Sequence, residues 1–375
     1  MMTRVHDWLR SRVDEMCDDL RSLVEHESPS DSPDVLRACA DFLAGRAREL
    51  IRADVSIVED PRGPHLDIRV HGEGGPPVLL LGHFDTVWPV GTLAARPYEQ
   101  RDGIASGPGV FDMKAGIVQS LWTVHALKAL GAPAPPIRLF FNSDEEVQST
   151  RSRGRILDAA RHSRAVLVLE PSQDGAVKTA RKGAGRFEII VHGRAAHAGI
   201  DPQTGRSAIS ELARVIRSLD ELADEAAGTT VNVGCIEGGT RANIVADRAS
   251  ALVDVRVKTK SEAERVLSSI GALHPSRDGL EIDARGSFGR PPMERTPQIA
   301  TLYEIARRIG SDLGIDLREV STGGASDANL CAELGLPILD GLGAVGAGAH
   351  AMTEHVLIDA IPARAALLAG LLSAL

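Results

Sequence analysis

The chain has 375 residues, more than a single hydrophobic core usually serves, so two domains are the default expectation. Its formal charge is −9 and its basic residues are scattered, with neither a basic stripe nor interleaved aromatics, which excludes nucleic acid as a partner. Met1–Leu23 mixes charges with apolar residues at helical spacing and lacks the unbroken apolar run of a signal peptide or membrane span, pointing to a cytoplasmic protein with no membrane partner. Cys17, Cys39, Cys235 and Cys331 are far apart and form no CxxC pair, so a zinc ribbon is excluded and buried, reduced thiols are expected.

Apolar β-branched runs alternate with helical patterns through the first half. Helices are expected near 5–25, 33–52, 114–130 and 152–161, and strands near 65–71, 77–82, 136–142 and 165–170. That alternation predicts an α/β fold, a mostly parallel sheet with helices on both faces. From about residue 182 the order becomes strand (186–191), helix (207–223), strand (230–236), strand (250–257), helix (261–273), strand (280–284). This β-α-β-β-α-β series predicts a ferredoxin-like α+β unit inserted into the first domain. The chain then returns through a helix near 296–313, a strand near 316–320 and a closing helix near 360–375. The expected division is a discontinuous domain of 1–181 and 292–375, with 182–291 inserted.

The densest chemistry is Phe141-Asn142-Ser143-Asp144-Glu145-Glu146, three adjacent carboxylates where a strand should end. Like charges gather this way only around something cationic. His83 and Asp85 follow the apolar run 78–81, Asp112 lies in Gly109-Val110-Phe111-Asp112-Met113-Lys114, Glu170 follows 165–169, and His350 ends Gly346-Ala347-Gly348-Ala349-His350. Most of these fall just after strands, where open α/β sheets place their sites. Imidazole nitrogen with carboxylate oxygen and no thiolate suits a catalytic zinc site. Two zinc ions would be matched in charge by Asp112, Glu146, Glu170 and one bridging hydroxide. Singly, each residue has a plain structural alternative: His83 a satisfied core histidine, Asp112 a turn residue, Glu145 and Glu146 a solvated helix start. Their joint placement at strand ends is what argues for a site, since unpaired acids are rarely buried.

With these residues in view, His83-Phe84-Asp85-Thr86-Val87, Gly107-Pro108-Gly109-Val110-Phe111-Asp112-Met113-Lys114-Ala115-Gly116, Ser143-Asp144-Glu145-Glu146 and Gly346–His350 resemble the M20 family of dinuclear zinc metallopeptidases and deacylases. Within it the chain looks most similar to the glutamate carboxypeptidase, or carboxypeptidase G2-like, branch, from about residue 10 to the C-terminus. The resemblance implies two Zn2+ per subunit, with Co2+ or Mn2+ as substitutes. Asp112 would bridge them, His83 and Glu170 completing one and Glu146 and His350 the other. It implies Glu145 as general base, Asp85 accepting the second imidazole N–H of His83, and a cis peptide after Asp112. Gly193-Arg194-Ala195-Ala196-His197-Ala198-Gly199 resembles the segment whose histidine crosses a homodimer interface, formed here by the 182–291 dimerisation and lid domain, to stabilise the oxyanion; the alternative is that His197 caps the helix starting near Ser207. Asn243 and Arg256 match positions that bind the substrate's free α-carboxylate, with Arg256 open to the alternative of pairing with Asp254. Gly323 and Gly324 resemble a glycine-rich substrate loop. Gln148 stands where many members have Gly, and Ala115 replaces a common Gly.

The activity so implied is hydrolysis of an amide next to a free carboxylate, releasing a C-terminal amino acid such as glutamate from a small peptide or N-acyl amino acid. An N-acyl amino acid deacylase of acetylornithine deacetylase or succinyl-diaminopimelate desuccinylase type would share the metal residues. A non-catalytic binding protein on a decayed peptidase fold is the rival from another class; the complete ligand set and intact Glu145 argue against it.

Overall fold

The protein divides, in a computed structural model describing residues 2–375, into two compact units. The first comprises the chain up to Ala180, Arg295–Ser321 and Ser326–Leu375; the second is Arg181–Glu294 with Thr322–Ala325.

The first unit is built on a six-stranded sheet in the order Asp54–Val58, His65–Val70, Ile137–Asn142, Val78–His83, Ala165–Val168, Ile338–Leu339. The first two pairings are antiparallel and the remaining three parallel. All six residues of Val78–His83 are buried. Because successive strand side chains point to opposite faces, burial of every one means that both faces of the sheet are covered. Helix Ala115–Ala129 is buried along nearly its whole length and packs against the largely apolar closing helix Ala360–Ala374, as a helix with no distinct polar face must.

Most elements fall where the sequence places them, and the exceptions have local causes. The single helix expected over 5–25 is two, Met2–Arg10 and Val13–Glu25. At the break, Ser11 Oγ and Arg12 Nη1 both donate to the carbonyl of Trp8, satisfying the helix end with side chains instead of a continued ladder. The strand near 316–320 forms later, at Glu319–Thr322. Asp54–Val58 was not anticipated; it is a short sheet-edge strand whose five residues are all at least partly exposed, so it lacks a strong apolar signal.

The second unit runs through strand Gly183–His192, helix Ala208–Asp220, strands Thr230–Gly238 and Arg248–Val257, helix Lys260–Gly271 and strand Glu281–Arg290. The strands form one antiparallel sheet with Thr230–Gly238 and Glu281–Arg290 at its edges, which is the ferredoxin-like order. Its core alternates along the central strand (Phe187, Ile189, Val191) and recurs at helical spacing on the first helix (Ala208, Leu212, Val215, Leu219). Ser207 and Thr259 cap the two helices, each accepting a backbone N–H.

Cys17, Cys39 and Cys331 are buried free thiols, but Cys235 is exposed. It sits at a register shift on the edge strand Thr230–Gly238, where no neighbour covers it. No helix among the described residues is long and apolar enough to cross a membrane.

Candidate metal centre

Five segments of the first unit converge on one place, and each is positioned by the sheet or by a buried polar clamp. His83 is the last residue of its strand and is level in register with Asn142, the last of the neighbouring parallel strand. The loops leaving both strands therefore start side by side; Phe84 N donates to Asn142 O at 2.9 Å. His83 Nδ1 lies 3.0 Å from the backbone oxygen of Asp85 and 3.4 Å from its Oδ1. With Nδ1 so engaged, Nε2 is left to face Asp112 Oδ1 at 3.3 Å and Glu170 Oε1 at 3.7 Å.

The expected contact between Asp85 and His83 is thus mainly through the Asp85 carbonyl, because its carboxylate has another task. That carboxylate, fully buried, accepts Glu145 N at 3.2 Å, Glu146 N at 3.1 Å and Ser30 Oγ at 2.7 Å. It fixes the turn carrying the two glutamates. The turn closes by Ser149 N to Asp144 O at 2.7 Å, with Gln148 at φ +77°. This left-handed conformation is one glycine adopts freely and a side chain pays for at roughly 1–2 kcal/mol.

Of the three consecutive acids, Asp144 and Glu146 send their carboxylates to different partners. Asp144 turns inward, where its Oδ2 accepts Arg151 N at 2.9 Å and Ser152 N at 3.3 Å. Asp327, at the end of the glycine-rich stretch, is also buried; it accepts Asn142 Nδ2 and Ser149 Oγ and ties down both ends of the glutamate turn.

Asp112 lies in the turn Val110–Lys114, and the Asp112–Met113 peptide is cis. Its two oxygens face opposite ways: Oδ1 towards His83 Nε2, and Oδ2 towards His350 Nε2 at 3.5 Å. His350 Nε2 is also 3.2 Å from Glu146 Oε1. Two triads result, His83–Asp112–Glu170 and Asp112–Glu146–His350, with the ligand atoms of each within 4.8 Å of one another and Asp112 common to both. All five residues expected as ligands come together.

The electrostatics fit a pair of cations. Oδ1 of Asp112 is buried and makes no hydrogen bond although an imidazole stands beside it. Burial alone would push His83 down, but Asp112 and Asp85 hold it well above the usual imidazole range. His350, beside Asp112 and Glu146, is pushed up to about 10. The Asp112 carboxyl, against its burial, is held well below the usual range by the two imidazoles, whereas burial raises Glu146. In the absence of ions the site draws protons onto its imidazoles, which is how a carboxylate cluster built for cations behaves. Nitrogen and oxygen donors without thiolate fit divalent metal.

Two further residues, marked by no motif in the sequence, support the site. Glu354 accepts backbone N–H groups from the Asp112 turn. Arg364 is fully buried in the apolar closing helix, and burial lowers it to about 10. It donates to the carbonyls of Gly175 and Gly343 at 3.0 Å each and of Gly341, and Gly343 N in turn donates to Glu170 O. A single arginine in an otherwise apolar run was the available clue.

The remaining predicted residues lie in the second unit. His197 is exposed; its Nδ1 accepts Gly199 N at 3.1 Å, and Ser207 rather than His197 caps the helix. Ala198 N donates to Asn243 O at 3.0 Å and Val245 N to Ala196 O at 2.9 Å, so the His197 and Asn243 segments run side by side. Arg256 makes a two-pronged ion pair with Asp254, Nε to Oδ1 at 2.9 Å and Nη2 to Oδ2 at 3.1 Å. Gly323 and Gly324 belong to the same unit, where Arg181 Nη1 donates to Gly324 O at 3.0 Å.

Residues 179–277 match the family model described as M20_dimer, peptidase dimerisation domain. The chain is 28% identical over 360 residues to carboxypeptidase G2 of Pseudomonas sp. (strain RS-16), spanning 92% of this chain and 85% of that protein. It is 31% identical over 267 residues to a probable carboxypeptidase of Arthroderma otae (strain ATCC MYA-4605 / CBS 113480), covering 63% of this chain and 57% of that protein's length. Its fold matches the M20 family metallo-carboxypeptidase Sso-CP2 from Sulfolobus solfataricus with a TM-score of 0.72 at 17% identity, over 96% of this chain and 98% of that one.

Proposed function

The chain belongs to the M20 family of peptidases, and from that premise we propose that it is a two-zinc carboxypeptidase or amidohydrolase. It would cleave an amide bond next to a free carboxylate, releasing a C-terminal amino acid such as glutamate from a small peptide or N-acyl amino acid. The observation that carries this reading is Asp112, whose two oxygens face two separate ligand sets, His83 with Glu170 and Glu146 with His350. When bound, two zinc ions at these residues supply Lewis acidity and lower the pKa of water toward neutrality.

In this reading Glu145 is the base. Its backbone N–H is held by the Asp85 carboxylate, which also holds that of Glu146. Glu145 takes a proton from the attacking water and returns it to the leaving amine as the C–N bond breaks. His197 donates to the oxyanion of the tetrahedral intermediate, from the partner subunit of a homodimer assembled through the dimerisation domain. Asn243 and Arg256 receive the substrate carboxylate, with Asp254 orienting the guanidinium until substrate arrives, and Gly323 and Gly324 offer backbone N–H groups to the substrate.

The test is a screen of dipeptides and N-acyl amino acids against C-terminally amidated counterparts, using zinc-reconstituted protein and reading release of free amine. Turnover of the free acids with little of the amides supports the proposal. Equal turnover of both, or of neither, contradicts it.

A further inference from the structure

Glu354 is a buried acid to which neither ligand triad assigns a role. Its side chain is fully enclosed, yet no cation lies against it at hydrogen-bond distance: the Arg96 guanidinium comes to 3.7 Å from Oε2. What its oxygens meet instead is a set of four N–H donors. Oε2 accepts Trp88 Nε1 at 2.8 Å and Gly109 N at 3.0 Å, while Oε1 accepts Phe111 N at 3.0 Å and Asp112 N at 3.1 Å. Three of the four are backbone amides of the one turn that carries Asp112. Gly109 sits at φ +71°, which aims its own amide into the same spot; a Cβ there would come within 2.4 Å of Thr86.

Glu354 also lies four residues after His350, on a compact double turn in which Ala351 N donates to Gly348 O at 2.9 Å and Glu354 N to Ala351 O at 3.0 Å. Arg96 Nη2 donates to the Glu354 carbonyl at 2.7 Å, with the guanidinium 4.9 Å from the Trp88 ring centre. One short segment therefore presents an imidazole at one end and, at the other, grips the backbone beneath the shared carboxylate.

We propose that Glu354 is a positioning residue for the bridging carboxylate, locking the Asp112 turn to the His350 segment so that the two oxygens of Asp112 already face their separate imidazoles before any cation binds. The proposal rests on the two-metal reading. The carboxylate is required because all of its partners are donors: an amide in its place would turn an NH2 group against backbone N–H groups and leave some of them unsatisfied. Groups that orient ligands in this way are worth roughly 10- to 100-fold in metal affinity.

The experiment compares the full-length wild type with Glu354→Gln and Trp88→Phe by chelator competition with Zn2+, by the visible spectrum of the Co2+ form and by urea unfolding of the metal-free protein. For Glu354→Gln the expected result is two ions still bound at saturation, affinity lower by roughly 10- to 100-fold and a shifted Co2+ spectrum. Trp88→Phe, which removes one donor and keeps the carboxylate, is expected to weaken binding several-fold with metal-free stability close to wild type, and it decides the matter if Glu354→Gln fails to fold. Wild-type affinity and spectrum in a folded Glu354→Gln, or in Trp88→Phe when that variant has to decide, overturn the proposal. If the wild type itself binds no metal, the two-metal reading fails and this proposal with it; two tight ions in the wild type with no effect in the variants overturns this proposal alone.

Discussion

Binding of metal to this protein should release protons, and the structure sets how many. A ligating imidazole must present a neutral nitrogen, yet in the ion-free site His350 is pushed up to about 10 by Asp112 and Glu146, and Asp112 and Asp85 hold His83 well above the usual range. At pH 8 an ordinary imidazole, with a pKa near 6.5, carries only about 0.03 proton, whereas one at about 10 carries nearly a whole one. His350 alone should therefore surrender close to one proton per subunit, and His83 adds to it in the same direction. The sign follows directly: affinity rises with pH while the imidazole is protonated in the free site, and flattens above its pKa. One displaced proton means roughly tenfold per pH unit, or about a hundredfold between pH 6.5 and 8.5. Calorimetric titration of the metal-free protein with Zn2+, in buffers of different ionisation enthalpy, counts the protons directly. A release below about 0.3 proton per subunit at pH 8, with affinity constant across that range, would refute the electrostatic account of the site.

Other consequences concern individual residues. Glu145→Gln should keep near-normal metal content but lose at least ~10²-fold in kcat, while Glu146→Gln should lose metal; a swap of the two phenotypes in metal analysis and steady-state kinetics would reverse their roles. Arg256→Ala should raise KM for substrates with a free α-carboxylate by a factor matching roughly 1.5–3 kcal/mol, leaving amidated analogues little changed. Equal losses on both would mean that its pairing with Asp254 is its whole function. If His197 acts across a two-fold interface, inactive Glu145→Gln and His197→Ala homodimers mixed in equal amounts should recover activity towards about a quarter of sites after subunit exchange; proven mixed dimers without recovery would place His197 outside the partner's site.

Where the sequence was informative, it was because a ligand sits directly after a strong apolar strand. The run 78–81 leads to His83 and the run 165–169 to Glu170, so sheet topology alone brings them to one end of the molecule. The alternation that predicted two kinds of sheet carried through to the six-stranded and four-stranded sheets observed. What was not legible depends on contacts between residues distant in the chain. Asp144 looks like its neighbours Glu145 and Glu146, and only the fold shows it turned onto the amides of Arg151 and Ser152 instead of into the ligand triads. Glu354 looks like any loop acid until its segment is seen against residues some 240 positions earlier. Arg256 illustrates the intermediate case: its i, i+2 spacing from Asp254 on one strand face made the ion pair a live alternative, and the pair is formed.

The central claim, that His83, Asp112, Glu146, Glu170 and His350 hold two metal ions which the reaction requires, is tested most directly by titrating verified metal-free protein with Zn2+. Bound metal would be counted by mass spectrometry and amide hydrolysis followed at each step. The account predicts that activity is absent without metal and rises to a plateau at two ions per subunit. Hydrolysis by the metal-free protein, or a plateau with no metal retained, would contradict it.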